Sequence, residues 1–191
     1  FDPHGNNVTD EFRLELQNGV IFLYTSAFTF GANDYSKVYD GTPVMLTEGD
    51  VLLIDADTQD GKLPEDRYYV IVPSEGGSDV GSEILPFDVR IMRRDPNGDV
   101  DVTEFYYIRK IYAHYTISPR EITLKAADAR KVYDGTPLTA NEIEIAGGSL
   151  AEGDYIAEYT VDGSITRVGR ADNVITGVVI RNADGEDVTH N

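Results

Sequence analysis

Short stretches of alternating or wholly apolar residues, separated by turn residues, run through the chain. Alternation with a period of two predicts half-buried strands, and it is clear in Phe12–Leu16, Phe28–Phe30 and Glu142–Ile145. Short apolar runs predict more deeply buried strands; these are Val20–Leu23, Val51–Ile54, Tyr68–Val72 and Val178–Ile180. Clusters of Gly, Asp, Asn and Pro separate the runs by roughly 8–12 residues, which is typical of sandwiches and barrels. The pattern predicts an all-β fold with little or no helix.

A heptapeptide that occurs twice defines an internal repeat. Lys37–Pro43 and Lys131–Pro137 are both Lys-Val-Tyr-Asp-Gly-Thr-Pro, 94 positions apart (131 − 37). A Val-Thr pair that follows a glycine turn has the same offset, from Val8 to Val102, and occurs a third time at Val188. Landmarks that keep their order and separation indicate tandem modules. We therefore expect β-sandwich modules, Ig-like or β-grasp-like.

The repeat divides the chain into three parts: residues 1–24 as the closing strands of a preceding repeat, 25–117 as a central module, and 118–191 as a C-terminal module that lacks its closing strands. Each module is expected to bury its own core, with linkers near Ser26 and Pro119, and the array is expected to continue in both directions. We also expect residues 1–24 to complete the C-terminal module, within the chain or from a neighbouring copy. The alternative is a domain boundary permuted relative to this one.

One segment, Leu124–Lys131, has the composition of a helix. Its repeat partner, Phe30–Lys37, contains Gly, Asn and aromatic residues, which form helices poorly. Equivalent positions should share a conformation, so the extended interpretation is favoured.

The heptapeptide itself is interpreted as an aromatic anchor followed by a turn. Val and Tyr fall on opposite faces of a strand end, Asp-Gly allows positive φ, and Pro fixes the exit of the chain. No position in it demands catalytic chemistry. The structural motif residues are Lys37, Tyr39, Asp40, Gly41, Lys131, Tyr133, Asp134 and Gly135.

Composition narrows the possible partners. Asp and Glu number 34 against 16 Lys and Arg, which gives a formal charge of −18. Such a surface repels phosphate backbones and anionic lipid, so neither nucleic acid binding nor membrane insertion is expected. The sequence has no Cys, which excludes disulfides, thiolate metal sites and thiol catalysis.

Candidate catalytic and metal chemistry is sparse. Of the three histidines, His4 and His190 fall in turn regions, and His114 takes the place of Val20 in the earlier copy, so a tolerated strand position is favoured over a general base. We expect no enzyme activity and no cofactor. Calcium is the one weak alternative, because oxygen ligands alternate in one turn, at Asp95, Asn97, Asp99 and Asp101. A second acidic loop, weaker still, contains Asp55, Asp57, Gln59 and Asp60. Neither loop fits an EF-hand.

Two covalent modifications can be considered. Asn7 begins a glycosylation sequon, but the other copies have Asp there, which favours coincidence. Lys37 and Lys131 are candidates for lysine–asparagine isopeptide bonds, which require a buried Lys beside an Asn and a carboxylate. A solvated lysine at a strand end is the favoured interpretation of both.

The ordered motifs resemble a known family. The heptapeptide, the Val168-Gly169 step and the block Gly185–Thr189 are similar to the YDG/MBG repeats of bacterial surface proteins, which are related to modules of mucin-binding adhesins. The resemblance covers nearly the whole chain and is closer in the C-terminal copy. It implies β-rich repeats of exported, often Gram-positive, cell-wall proteins, attached through regions outside this chain. It carries over no catalytic or glycan-binding residue.

Two functions are compatible with these observations. The favoured one is a structural or adhesive stalk at the bacterial cell surface, whose partners are the neighbouring repeats. The alternative is a module that binds a host glycan or glycoprotein through exposed tyrosines, namely Tyr106, Tyr107, Tyr112 and Tyr115. An accessory domain of an enzyme is a third possibility. Exposed rings in a groove would favour binding, whereas rings buried at module junctions would favour the stalk.

Overall fold

The computed structural model describes Gly19 and residues 23–24, 26–58 and 62–191, and it is all-β. In this part of the chain the helical elements are two 3-10 turns, Glu48–Asp50 and Thr103–Phe105. The strands are β1 (Ser26–Ala32), β2 (Tyr35–Val38), β3 (Val51–Ala56), β4 (Arg67–Val72), β5 (Gly81–Leu85), β6 (Asp88–Arg93), β7 (Val100–Asp101), β8 (Tyr106–Ile111), β9 (Ala113–Ser118), β10 (Ile122–Ala126), β11 (Ile143–Gly148), β12 (Tyr155–Asp162) and β13 (Val174–Arg181).

Two long extended segments organise the central module. β1 and β2 follow each other after a two-residue break, and β8 and β9 follow each other after Tyr112 alone. The two segments run parallel, since β1 pairs with β8 and β2 with β9. Alternate side chains point inward, so Phe28 and Phe30 of β1 and Ile117 of β9 are buried. The first and last strands of the module are therefore direct neighbours.

The remaining strands of the central module complete three small sheets around this pair. β3 pairs antiparallel with β1, β5 pairs antiparallel with β9, and β4, β6 and β7 form a separate sheet. Their inward residues pack on the same core, with Val51 of β3 and Ile91 of β6 almost completely buried. Apolar burial of this kind is the main stabilising term of such a module.

The C-terminal module repeats part of this arrangement. β10 pairs with β11 as β1 does with β3, and β12 pairs with β13 as β4 does with β6. The irregularity between Thr29 and Phe30 of β1 recurs between Thr123 and Leu124 of β10, 94 positions later (123 − 29). A bulge at the same place in both copies shows that the sequence repeat is also a repeat of backbone geometry.

The third shared feature is an Asp-Val-Thr clip. In the central module the Thr103 hydroxyl accepts a hydrogen bond from Ile91 N at 2.9 Å, and Asp101 Oδ1 accepts from Thr103 N at 2.9 Å. In the C-terminal module Thr189 and Ile180 make the same contact at 3.0 Å, and Asp187 holds Thr189 likewise. Hydrogen bonds from threonine lower the pKa of both carboxyls. The clip ties the Val-Thr motif to β6 in the central module and to β13 in the C-terminal module.

The structure confirms the all-β prediction and corrects some details. Ser26 was expected to lie in a linker, but it is the first residue of β1 and pairs with Tyr106. Leu124–Lys131 contains the end of β10 and no helix. The strands predicted within Phe12–Leu16 and Val20–Leu23, and the Val8-Thr9 motif, lie almost wholly outside the described residues.

The expectation that each module closes around its own core does not hold for the C-terminal module. Between residues 118 and 191 the buried hydrophobic residues are Ala151, Ile180 and Val188, and they belong to one cluster with the core of the central module. Among the described residues, β10 pairs with β11 alone, whereas β1 pairs with both β3 and β8.

We expect Gly148→Ala to destabilise the C-terminal module. Gly148 ends β11 with φ +73°, and an added Cβ would lie 2.3 Å from the carbonyl oxygen of Glu121. Strain plus this clash should cost about 1–3 kcal/mol of unfolding free energy. Chemical denaturation measures it. Gly177→Ala is the control, because that glycine has ordinary φ and only the Thr160 hydroxyl nearby; an equal loss there would contradict the explanation.

Candidate functional site: the repeated turns and the junction between modules

The heptapeptide forms a compact turn stabilised by its own side chains. Asp40 Oδ1 accepts hydrogen bonds from Thr42 N at 2.9 Å and from the Thr42 hydroxyl at 2.7 Å. Gly41 has φ +78°, a conformation that residues with a Cβ rarely adopt. Lys37 Nζ closes the turn by donating to Asp40 Oδ1 at 2.7 Å and to the Thr42 hydroxyl at 2.9 Å. The Asp, Gly, Thr and Lys of the motif are thus explained by local geometry.

The second copy forms the same turn. Asp134 Oδ1 accepts from Thr136 N at 2.9 Å and from Lys131 Nζ at 2.9 Å, and Gly135 has φ +82°. The hydrogen bond from the lysine, followed by those from the threonine, lowers the pKa of Asp134 well below its usual range and that of Asp40 to about 2. Both carboxylates are therefore ionised at neutral pH and hold the turns together.

The prediction that these lysines are solvated holds for Lys131, which is an exposed residue, but not for Lys37, which is half-buried. The Lys37 side chain is 11% exposed and that of Lys131 is 28% exposed. Each ammonium group lies within its own turn, where it meets a carboxylate and a threonine. An isopeptide bond needs an Asn side-chain amide beside the lysine, whereas the acceptors here are Asp and Thr oxygens and a backbone carbonyl. The geometry therefore supports a structural role for both lysines.

The tyrosines of the two turns lie in different surroundings. Tyr39 is 4% exposed, whereas Tyr133 is 65% exposed. Burial, followed by the nearby carboxylate of Asp154, raises the pKa of Tyr39. Asp154 belongs to the C-terminal module, so the central module's turn packs against the next module. The turn at Tyr39 is therefore a contact surface between modules, whereas the turn at Tyr133 is open to solvent.

Arg120 links the two modules beside Tyr39. Its side chain donates to the Tyr39 carbonyl oxygen at 3.2 Å, and also to the Ser149 carbonyl oxygen at 2.6 Å and the Ser149 hydroxyl at 2.9 Å. The arginine lies in the connection 119–121 between β9 and β10. One guanidinium thus joins the central turn, the linker and the loop after β11.

Asn191 makes a second link on the same side. Arg120 N donates to its carbonyl oxygen at 3.1 Å. Its side-chain amide accepts from Val80 N at 3.1 Å and donates to Asp79 Oδ1 at 2.9 Å. Asp79 and Val80 precede β5, so the end of the C-terminal module is bonded to the central module.

Sequence reasoning missed these junction residues because the repeat does not contain them. The position equivalent to Arg120 is Ser26 (120 − 94), and the position equivalent to Asn191 is Phe105 (191 − 86, the offset of Val188 from Val102). Comparison of the copies therefore gives no signal for them. An arginine immediately after Pro119 was the only available hint.

The calcium candidates form a hydrogen-bonded turn. Asp95 Oδ1 accepts from Asn97 N at 3.0 Å, and Asp99 accepts from Asp95 N at 3.2 Å and from the Tyr68 hydroxyl at 2.6 Å. Asp101 belongs to the Asp-Val-Thr clip. The hydrogen bond from the Tyr68 hydroxyl is the largest of the effects that lower the pKa of Asp99. The turn thus has protein donors on each of its three carboxylates.

The second acidic loop lies partly outside the described residues. Asp55 is in β3 and Asp57 follows it, whereas Gln59 and Asp60 are not described. Across the described ranges, no group of three or more His, Cys, Asp or Glu residues is arranged to hold a metal ion.

The candidate tyrosines do not share one face. Tyr115 is buried, and its hydroxyl accepts from Gly77 N at 2.7 Å. Tyr106 packs its ring against Phe28 at 5.4 Å between centroids. Tyr107 is exposed and lies 5.6 Å from the ring of Tyr24, and Tyr112 meets the ring of buried Phe87. Of the four, Tyr107 and Tyr112 are exposed, and the ring that Tyr107 meets, Tyr24, is exposed as well.

The histidines are not brought together. His114 is exposed on β9, with Nδ1 at 3.7 Å from Asp34, and His190 is exposed near the end of the chain. His4 lies outside the described residues.

A cavity of about 400 Å³ adjoins the central turn. Its walls include Tyr35, Lys37, Asp40 and Asp50. Asp50 accepts from Thr47 N and its hydroxyl, and Lys37 and Asp40 bind each other, so these charged groups are already paired within the protein.

We expect Asp40→Asn to lower the free energy of unfolding at pH 7 by about 1 kcal/mol, a value reduced for solvent screening because the side chain is 45% exposed. The folded pKa lies below the ordinary value, so this stability is present above pH 4. It is lost as the pH falls toward 2. Denaturant titrations of both proteins should therefore converge between these pH values. A difference at pH 2 as large as the one at pH 7 would contradict the mechanism.

No protein-family model matches the chain, and no curated protein matches it either. Within the described ranges, no helix is both long enough and apolar enough to cross a membrane. The geometry of the turns and of the junction is therefore the basis for a proposed function.

Proposed function

We propose that the chain is a structural spacer within the repeat region of a secreted bacterial surface protein, with modules in rigid end-to-end contact. The observation that carries this proposal is the buried position of Tyr39 between the central turn and the C-terminal module. The resemblance of the two turns to YDG/MBG repeats supports the surface location and the attachment to a cell wall through other regions. We assign the chain no catalytic role.

The direction of the strands supports a linear spacer. The segment from Ser26 to Val38 holds 13 residues, which at about 3.3 Å each extend roughly 40 Å. Tyr39 directly follows this segment. Its backbone N donates to the carbonyl oxygen of Ser118, the last residue of β9. The first strand of the C-terminal module, β10, begins four residues later. The chain therefore enters the module at one end and leaves it at the other.

The junction supports a fixed angle between the modules. The connecting segment 119–121 is short, and Arg120 within it is bonded on both sides. Asn191 adds contacts to Asp79 and Val80. Short interdomain connections with few free torsions limit relative motion, whereas flexible linkers permit it. A spacer that keeps a distal region away from the cell wall requires this stiffness.

We expect Tyr39→Ala to loosen the junction. The sequence has no Cys, so spin labels can be attached through Arg109→Cys and Glu158→Cys, two exposed positions in different modules. Pulsed electron–electron double resonance should give one narrow distribution of the distance between the two labels in the parent and a broad one in Tyr39→Ala. Loss of this buried ring should also cost about 3 kcal/mol of stability.

Tyr133→Ala is the matched control, because the same motif there is exposed. It should leave both the distance distribution and the stability unchanged. A broad distribution in the parent, or equal effects of the two substitutions, would overturn the rigid spacer.

A second candidate function is adhesion to a host glycan or glycoprotein. It is favoured by the exposed pair Tyr24 and Tyr107, whose rings lie 5.6 Å apart at an angle of 57°. Paired rings offer an apolar surface on which a sugar face can stack.

We expect Tyr107→Ala to weaken any binding found on a glycan array by about fivefold, because an aromatic contact contributes about 1 kcal/mol. The substitution should leave the unfolding transition unchanged, since the ring is 52% exposed. Tyr159→Ala, an exposed tyrosine of β12, is the control. Absence of binding, or equal losses in both variants, would argue against this second function.

A further inference from the structure

The cavity of about 400 Å³ beside the central turn has no part in the spacer function. It adjoins β2, which among the described strands pairs with β9 alone, whereas the preceding β1 has a strand on each side. β3 begins at Val51, opposite Ala32, the last residue of β1. The space alongside β2 is therefore bordered by the segment 42–46 and by the 3-10 turn at Glu48–Asp50.

The floor of this cavity is apolar. It is lined by Val44, Leu46, Leu85 and Ala113, which are each between 2% and 3% exposed. A concave site of several hundred Å³ with mainly apolar walls is typical of the sites that bind small ligands. The cavity is thus suited to the hydrocarbon part of a ligand.

Apolar side chains also stand at the rim of the cavity. Tyr35 and Leu52 line it, yet they are 51% and 55% exposed. The C-terminal module forms the same turn without them, since Ala129 stands at the position of Tyr35 (35 + 94) and Glu144 takes the place of Leu52 in the pairing of β11 with β10. These two apolar side chains are therefore not needed to form the turn, and their exposed surface is available to a ligand.

The cavity wall also carries charge. The charged side chains that line it are Asp34, Lys37, Asp40 and Asp50. Lys37 Nζ donates to Asp40 Oδ1 at 2.7 Å, so these two charges compensate each other within the turn. The charge that remains in the wall is that of the other two carboxylates.

Asp34 and Asp50 are held by neutral donors. Asp50 Oδ2 accepts from Thr47 N at 2.8 Å and from the Thr47 hydroxyl at 2.6 Å. Asp34 Oδ1 accepts from the backbone N of His114 at 2.8 Å. These bonds fix the carboxylates without cancelling their charge, so the cavity combines an apolar floor with a negative potential.

We propose that this cavity binds an organic ammonium group carried on an apolar stem. The stem lies against Val44 and Leu46, and the ammonium group faces Asp34 and Asp50. The exposed ring of Tyr35 offers the cation an aromatic face. An inorganic cation gains nothing from the apolar walls, and the carboxylates repel an anion. A free alkylamine and the lysine side chain of a peptide share this chemistry.

Two-dimensional NMR of the ¹⁵N-labelled chain tests the proposal with three six-carbon probes of different charge: hexylammonium, hexanol and hexanoate. We expect hexylammonium to bind most tightly and hexanoate least, with the largest shifts at the backbone amides of Tyr35, Met45 and Leu52. Higher salt should weaken the binding of hexylammonium and leave that of hexanol unchanged, because salt screens only the charged ligand.

Asp34→Asn and Asp50→Asn each remove one charge and keep an oxygen that can accept the present hydrogen bonds. Each should weaken the binding of hexylammonium about threefold, as expected for the loss of one solvent-screened ion pair. The binding of hexanol should stay unchanged, which shows that the cavity is intact in both variants. Asp162→Asn is the matched control, because that exposed carboxylate lies in β12 of the other module.

Leu52→Ala tests the apolar part of the site. It should weaken the binding of hexylammonium and of hexanol alike, by about threefold, because it removes hydrocarbon surface that both stems contact.

Nα-acetyl-lysine N-methylamide distinguishes the two sources of the ligand. If it shifts the same amides at least as tightly as hexylammonium does, the ligand is a lysine side chain of a peptide; if hexylammonium alone binds, the ligand is a free amine. Absence of shifts at the cavity amides with 20 mM hexylammonium would overturn the proposal. So would hexanol binding as tightly as hexylammonium, or equal effects of Asp34→Asn and Asp162→Asn.

Discussion

The parallel pairing of the first and last extended segments of the central module is the constraint on which the rest depends. β1 and β2 adjoin β8 and β9, although about 80 residues separate the partners (106 − 26). β9 also pairs with β5. Removing the segment that contains β8 and β9 would therefore leave one edge of β1 unpaired and would leave β2 and β5 without a partner. Such long-range pairing carries a large loop-closure entropy, which only a well-packed interior can offset. The phenylalanines of β1 and the isoleucine at the end of β9 supply that interior.

The described part of the C-terminal module shares the local features of the central module but not this pairing. The heptapeptide turn, the bulge in the first strand and the Asp-Val-Thr clip are all kept, because each depends on residues close in sequence or on one antiparallel partner. Among the described residues, most of the buried side chains belong to the central module, and the segments 129–132 and 169–173 do not form strands. The local hydrogen-bonded features thus recur in both copies, whereas the extent of the buried interior differs between them.

The same division explains how much could be predicted from the sequence. Alternating and apolar runs predicted β1, β3, β4, β11 and β13, because side-chain period is a local property. The repeat correctly favoured an extended conformation at Leu124, where helix propensity pointed the other way. The repeat did not predict that Tyr133 is exposed while Tyr39 is buried, because identical motifs have different neighbours. Lys37 was wrongly expected in solvent, since a linear pattern does not show that it folds back onto Asp40 and Thr42. Arg120 and Asn191 could not be found, because their contacts exist only where two modules meet.

Those two residues also distinguish the two modules. Arg120 binds the Tyr39 carbonyl oxygen and Asn191 binds Asp79 and Val80, whereas the central module has Ser26 and Phe105 at the equivalent positions. A serine cannot provide the fork of a guanidinium, and phenylalanine cannot replace an amide that both accepts and donates. A central-type module placed after Tyr133 would therefore lack the polar contacts of the observed junction. By contrast, residues 12–23 keep the apolar pattern of β8 and β9 at the offset of 94. The apolar pattern is therefore shared between the copies, whereas the polar residues that join the two modules are not.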